Sequence, residues 1–454
     1  LCAAAQADTI VLKNGDHIFA DVVREHDGRV EYSLGDSTFT IPRSIVARIE
    51  SGPPASARPA ANAIVEAPQI RTQMAGADQL MQRIIRNGAV DTDALKTIEH
   101  EGTPEQAASA NAVAARFAQD KGDLPGAVKY LESALRFQPR HAALLENYAA
   151  VLLRMGRFGE ALSFAQQATS VSPDSADAFA ILGYAYYKND HDREAIAALK
   201  KSLQLRPDDG VRGLLERVQR ESSTEADFRE QASSHFTLRY EGSQAADTLR
   251  SQILESLEDD YKDLSNDLGG SPKNVFVSLY TDEAFFDVTQ APAWSAALND
   301  GKIRIPISGI KSVTPELSSV LRHELTHSFV RQITNGRVPQ WLNEGLAQLE
   351  QGMTTAPFGN RLATLYLSGH QVPLNQLEGR FGSYSTGEAA VAYAEGLAAV
   401  EYIRNTYGMG DLARILQRLG EGQSMEAALR STIHSGYAEL ESEVTVYLKK
   451  NYGT

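Results

Sequence analysis

Two histidines four residues apart, with a glutamate beside the first, stand at His323-Glu324-Leu325-Thr326-His327. On a helix, positions i and i+4 share a face with Cβ atoms roughly 6 Å apart. Two imidazoles so placed can reach one metal ion at about 2.0 to 2.1 Å. Glu324 points beside that ion rather than at it, and can take a proton from a water that the metal activates. Zinc suits this task because it makes such a water acidic enough for a carboxylate to deprotonate. A third protein ligand is needed to leave one position open. Glu344, in Trp341-Leu342-Asn343-Glu344-Gly345-Leu346-Ala347-Gln348, lies 17 residues beyond His327. Asn335-Gly336 breaks the first helix and Pro339 leads into a second, which can fold back to present Glu344. The expectation is a Zn2+ site of His323, His327 and Glu344, with Glu324 as the catalytic base.

These residues need a scaffold. Thr314-Pro315-Glu316 combines a capping hydroxyl, a proline at the first helical position and an acid at the positive helix end, so a helix is predicted from there to about Gln332. Upstream, Phe236 to Tyr240 alternates as a strand, Leu254 to Leu268 forms an amphipathic helix stopped by Gly269-Gly270, and Val275 to Tyr280 is a second strand. Ile303 to Ile307 is a third; Pro306 suits it to a sheet edge, where it could pair with an extended peptide. Residues 234–454 are therefore read as one α+β unit.

A period precedes it. Pro139, Pro173 and Pro207 are 34 residues apart, as are Ala127, Ala161 and Ala195, and Gly122, Gly156 and Asp190 share that register. The helical region is set at 76–220, and the pattern over about 105–207 resembles three tetratricopeptide repeats. Such arrays bind peptides or proteins on a concave face, where Tyr184, Tyr187 and Lys188 are candidates, with core packing the equal alternative for each tyrosine. Short alternating segments between Asn14-Gly15, Asp27-Gly28 and Gly35-Asp36 predict a small, barrel-like β domain of four or five strands at 8–50. A Pro/Ala-rich linker, 51–75, follows.

The net charge of −14 argues against a nucleic-acid ligand, which requires a basic face. The one cysteine, Cys2, leaves no intrachain disulfide and no cysteine zinc site. No apolar run is long enough to span a membrane. Ala5-Gln6-Ala7 fits a signal-peptidase site, so residues 1–7 are read as the remnant of an export signal and the protein as periplasmic or extracellular. Leu1 before Cys2 disfavours a lipid anchor there.

The HELTH and WLNEGLAQ segments resemble the gluzincin clan of zinc peptidases. With FTLRYEG, VFVSLYTDEAFF, GKIRIPI and YAEGLAAVEYIRNTYG, the resemblance narrows to bacterial peptidase MA-type metallohydrolases, which often carry tetratricopeptide repeats. It implies His323, His327 and Glu344 as ligands and Glu324 as base. The Gly-x-Met-Glu-Asn motif of gluzincin aminopeptidases is missing from the sequence, which leaves an endopeptidase as the expectation. The resemblance also implies a donor for the tetrahedral oxyanion. Tyr393 is the first candidate, with Tyr384, His370, Tyr402 and Tyr407 as rivals. Arg322 and Arg331 are candidates for meeting a substrate carboxylate. The expected fold class is multidomain: a small N-terminal β domain, an α-helical tetratricopeptide-repeat solenoid and a C-terminal α+β zincin-like metallopeptidase domain. The expected partners are a peptide or protein substrate and a protein held by the repeats. The competing function is an inactive repeat-bearing scaffold with a vestigial or structural zinc site.

Overall fold

The computed structural model describes residues 8–12, 17–20, 22–26, 29–34, 37–43, 46–51, 77–86, 88–121, 123–242, 245–289, 297–307, 310–379 and 386–453. The expected export remnant, the Asn14-Gly15 and Asp27-Gly28 turns, nearly all of the linker, Gly122 and Tyr384 lie outside the described residues.

The N-terminal strands are β1 (Asp8–Leu12), β2 (His17–Ala20), β3 (Val22–His26), β4 (Arg29–Leu34), β5 (Ser37–Pro42) and β6 (Val46–Ser51). They form two antiparallel sheets, β2-β1-β6 and β3-β4-β5. The neighbouring strands β2 and β3 join different sheets.

Helix α1 (Ala77–Ile84), the short hairpin of β7 (Ile85–Arg86) and β8 (Ala89–Val90), and α2 (Thr92–Glu101) lead into paired helices. The pairs are α3 (Pro104–Asp120) with α4 (Leu124–Phe137), α5 (Ala142–Arg154) with α6 (Phe158–Val171), and α7 (Ala176–Lys188) with α8 (Asp192–Leu205); α9 (Asp209–Thr224) closes the array. Thr103, Asp123, Ser175 and Asp208 cap four of these helices through their side-chain oxygens. The periodic small residues are close-packing positions: Ala127, Ala161 and Ala195 are fully buried. A Cβ on Gly183 would lie 2.6 Å from Leu199 Cγ, so only glycine lets α7 approach α8 this closely.

The C-terminal sheet runs β12 (Leu298–Asn299), β13 (Ile303–Pro306), β11 (Val275–Tyr280), β10 (Phe236–Glu241), β9 (Phe228–Ala232). Strands β10, β11 and β13 are parallel, and α10 (Asp247–Leu268) is the crossover that the first pair requires. Strand alternation gives the sheet two different faces. Phe236, Leu238, Tyr240, Val275, Val277, Leu279, Ile303 and Ile305 face a core shared with α10 and α12 (Pro315–Thr334). The side chains between them include Arg239, Ser278 and Arg304, and the two arginines reach acids of the repeat region. The repeat array thus covers the polar face of the sheet.

After α11 (Asp282–Thr289) and the sheet come α12, α13 (Gln340–Glu350), α14 (Gly359–Leu367), α15 (Thr386–Tyr407), α16 (Met409–Gly420), α17 (Met425–Ile433) and α18 (Tyr437–Tyr452). Two sequence readings are corrected here. Ile303 to Ile307 does not form the sheet edge, because Leu298–Asn299 folds back antiparallel upon β13 and takes that place. Tyr187 and Lys188 do not line an open concave face; both are buried, with Lys188 Nζ 2.8 Å from the backbone oxygen of Asp300 and Tyr187 OH 2.9 Å from Arg304 Nη2.

Candidate metal centre

Helix α12 starts as the sequence dictates. Thr314 Oγ1 accepts the Leu317 amide, Pro315 occupies the first turn, and Asn335 ends the helix in the left-handed conformation at φ 52°. Leu317, Leu321, Leu325 and Phe329 anchor one face in the core, which turns His323 and His327 out together. Their Nε2 atoms are 3.2 Å apart. Helix α13 folds back, as the break at Asn335-Gly336 anticipates, and places Glu344 Oε2 3.7 Å from each Nε2.

A tetrahedral ion with bonds of about 2.0 to 2.2 Å has ligand atoms about 3.3 to 3.6 Å apart. The triangle of 3.2, 3.7 and 3.7 Å fits one such ion, and two imidazoles with one carboxylate are a zinc donor set. Among the described residues, no other group of three or more His, Cys, Asp or Glu is placed to share a metal ion.

Neighbouring amides orient all three donors. Asn343 Oδ1 lies 3.1 Å from His327 Nδ1, and Gln351 Oε1 lies 2.5 Å from His323 Nδ1. An amide oxygen can only accept, so each ring carries its proton on Nδ1 and keeps the Nε2 lone pair for a metal. Gln340 Nε2 donates to Glu344 Oε1 at 2.8 Å, leaving Oε2 toward the histidines. Sequence reasoning gave none of these three amides a role. Asn343 was legible as the neighbour of Glu344 and Gln340 as its i−4 partner on the same helix, whereas Gln351 reaches from the end of α13 to His323 on α12 and leaves no spacing signal. Asn343→Ala and Gln351→Ala are each expected to weaken zinc affinity by about 10- to 100-fold, measured by competition with a chromogenic chelator.

Burial governs the charges. It lifts Glu344 to about 7 against a smaller opposing pull from His323. It lifts Glu324 to about 8, with the Glu344 carboxylate adding to the effect. It lowers both histidines to about 4, with His327 adding to the depression of His323 and Arg331 to that of His327. The protein alone favours uncharged side chains here; a dication would favour the ionised carboxylates while keeping both imidazoles neutral.

Tyr393, on α15, feels the same two carboxylates. Burial first, then Glu344 and Glu324, raise its hydroxyl well above the ordinary range, so it remains a proton donor. Its backbone oxygen accepts from Gln348 Nε2 of α13 at 3.1 Å. Close contact between α13 and α15 makes this possible: a Cβ on Gly345 would lie 2.5 Å from Gly396 O, and one on Gly396 would lie 2.6 Å from Trp341 O. Gly345→Ala is expected to cost about 1 to 3 kcal/mol by overpacking, read from urea unfolding, and to loosen zinc because the substitution adjoins Glu344.

Three of the rivals of Tyr393 are engaged elsewhere, and the fourth, Tyr384, lies outside the described residues. The hydroxyls of Tyr402 and Tyr407 both donate to Glu443, and exposed His370 meets Ser368 Oγ. Arg322 does not face a substrate carboxylate: it pairs with Asp260 at 2.9 Å and Glu350 at 2.8 Å. Arg331 extends toward the repeats, where a Cβ on Gly156 would lie 3.2 Å from its Cδ.

Fold and site together define a helical repeat array joined to an α+β region that carries a His-His-Glu constellation with a glutamate beside it. Residues 266–450 match the Peptidase MA superfamily and residues 152–218 match the Tetratricopeptide repeat, so the chain carries a peptidase MA domain behind tetratricopeptide repeats. No curated protein matches the chain. Solved structures similar to it include the TPR domain of Arabidopsis OM64, at 20% identity over 25% of this chain and 95% of that one, TM-score 0.25. The first TPR domain of human RPAP3 matches at 18% identity over 26% of this chain and 92% of that one, TM-score 0.25. A tetratricopeptide repeat protein from Parabacteroides merdae matches at 12% identity over 70% of this chain and 99% of that one, TM-score 0.30. No helix among the described residues is long and apolar enough to cross a membrane.

Proposed function

We propose that the chain is a zinc-dependent metallopeptidase that cleaves within peptide chains, with its repeats recruiting a protein partner or substrate. The observation that carries this reading is the triangle of His323, His327 and Glu344 with Glu324 on the same helix. Three protein ligands leave a position for water, as catalytic rather than structural zinc sites do. A zinc ion held there supplies Lewis acidity toward a peptide carbonyl and toward water.

The chain's own residues do the rest. Glu324 takes a proton from the attacking water and hands it to the leaving nitrogen. The partly buried Tyr393 hydroxyl donates to the oxyanion that forms on the carbonyl. Asn343, Gln351 and Gln340 hold the donors in place so that little rearranges during turnover.

The test is metal content by mass spectrometry together with cleavage of casein, in wild type and Glu344→Ala. Zinc near one per chain and cleavage in wild type, with both lost in the variant, is the expected result. A folded wild type that takes up no zinc defeats the reading. A wild type that holds zinc yet cleaves nothing in a broad peptide library favours the scaffold.

A further inference from the structure

Asn299 and Asp300 are neighbours at the end of β12, and they reach in different directions. Asn299 is buried, and its Nδ2 donates to the backbone oxygen of Glu324 at 2.6 Å and to Ser328 Oγ at 2.8 Å. In an α-helix the carbonyl of residue 324 serves the amide of residue 328. A second donor from outside fixes that turn, which contains Glu324 and His327. Asn299 Oδ1 accepts the Gly301 amide at 3.0 Å, shaping the reverse turn. Gly301 sits at φ +117°, and a Cβ there would lie 3.1 Å from Phe158 Cε2 of the repeats.

Asp300 faces the repeats. Its side chain is fully buried and pairs with Lys188 Nζ of α7 at 3.1 Å, Arg217 Nη2 of α9 at 3.6 Å and Arg304 Nη1 at 2.8 Å. Its backbone oxygen also accepts from Lys188 at 2.8 Å. Around it lies a buried seam. Lys302 Nζ meets Asp190 at 2.7 Å, Arg304 Nη2 meets Glu221 at 2.9 Å, and Arg239 pairs with Asp190 and Glu225. On the repeat side, Lys188 and Arg217 oppose Asp190, Asp192, Glu221 and Glu225, which leaves a net −2. On the sheet side, Arg239, Lys302 and Arg304 oppose Asp300, which leaves a net +2 among the buried groups, while Glu230 meets Arg239 from the exposed rim at 2.9 Å. The two faces neutralise each other, which fixes one docking arrangement for the Asn299–Asp300 turn.

We propose that Asn299 is a positioning residue for the metal helix, and that the last repeat, acting through Asp300, sets where Asn299 stands. This rests on the peptidase reading and deepens it: the repeats are part of the apparatus for turnover as well as a recruiting surface. An amide clamp on the turn that carries the base acts on the orientation of Glu324, and a misplacement of about 1 Å can cost on the order of 100-fold in rate.

The full-length chain tests this with Asn299→Ala, Lys188→Met and the double variant. Each is assayed for zinc content, for kcat and KM on a casein-derived peptide, and for hydrogen exchange along α12. Asn299→Ala is expected to keep its zinc and its KM within about twofold, to lose about 10- to 100-fold in kcat, and to exchange faster at Glu324 to Ser328. Lys188→Met is expected to act in the same direction, and the double variant to be no worse than Asn299→Ala alone, since both act along one path. Where Lys188→Met lowers the folded yield, Lys188→Arg, which keeps the charge but changes the reach, takes its place. A kcat for Asn299→Ala within twofold of wild type overturns the positioning role. Additive losses in the double variant, or exchange in α12 that ignores position 188, overturn the link to the repeats. If wild type hydrolyses nothing, the peptidase reading falls, and exchange along α12 alone decides the proposal: faster exchange in both single variants sustains it, and unchanged exchange ends it.

Discussion

Glu324→Gln is expected to lower casein hydrolysis by about 100- to 10,000-fold while zinc stays near one ion per chain. The two side chains have nearly the same shape, so packing is preserved and only the ability to carry a proton is lost. Glu324 is buried, yet it lies outside the triangle formed by the ligand atoms of His323, His327 and Glu344. Metal content and turnover should therefore separate in this variant, whereas Glu344→Ala loses both. Mass spectrometry of the native protein gives the first quantity and a fluorogenic casein assay the second. Equal cleavage by wild type and Glu324→Gln would remove Glu324 from the mechanism.

Arg304→Met is expected to cost about 3 to 5 kcal/mol of stability, the second large effect. Arg304 is fully buried and meets Asp300 at 2.8 Å, Glu221 at 2.9 and 3.1 Å, and the Tyr187 hydroxyl at 2.9 Å. Methionine fills much of the volume but leaves two buried carboxylates short of a cation. Adding Glu221→Leu to the same chain is expected to recover much of the loss, because an apolar pair of similar volume replaces a buried ion pair at little cost. Urea unfolding followed by circular dichroism measures both. Burial alone would raise Glu221, but Arg304 and Lys302 bring it down to about 2. Glu221 therefore contributes stability that is present above the ordinary carboxylate range and is lost as pH falls toward 2.

What the sequence made legible was local and periodic. His323 and His327 share a helix face by spacing alone, and Glu344 follows once Asn335-Gly336 is recognised as a break. The repeats announce themselves through Ala127, Ala161 and Ala195 because each must let two helices touch. The alternation in Phe236 to Tyr240 foretold a strand, but it did not say what Arg239 would meet. That pairing, like Lys188 with Asp300, 112 residues on, depends on how two separately patterned regions dock. Tyr187 stood open between a concave face and the core for the same reason: the chain carries no local mark of a partner that is part of itself. Strand β12 escaped notice because two residues cannot display an alternation, and Ile303 to Ile307 was therefore assigned the sheet edge.

The turns within the three repeats all meet the peptidase region. Asp123 lies 3.5 Å from Arg337, Gly156 abuts Arg331, and Asp190 holds Lys302. Recurring about every 34 residues, they act as a ruler laid along the peptidase MA region, with its zero mark at the turn nearest the sheet. A whole extra repeat spliced in between α2 and α3 would part α1 and α2 from α3 but leave every graduation in place. The same 34 residues spliced between Val171 and Ala176 would push both earlier marks one step out of register. Natural variation in repeat number should therefore accumulate ahead of these turns, and the segment from Asp123 to Glu225 should tolerate neither gain nor loss.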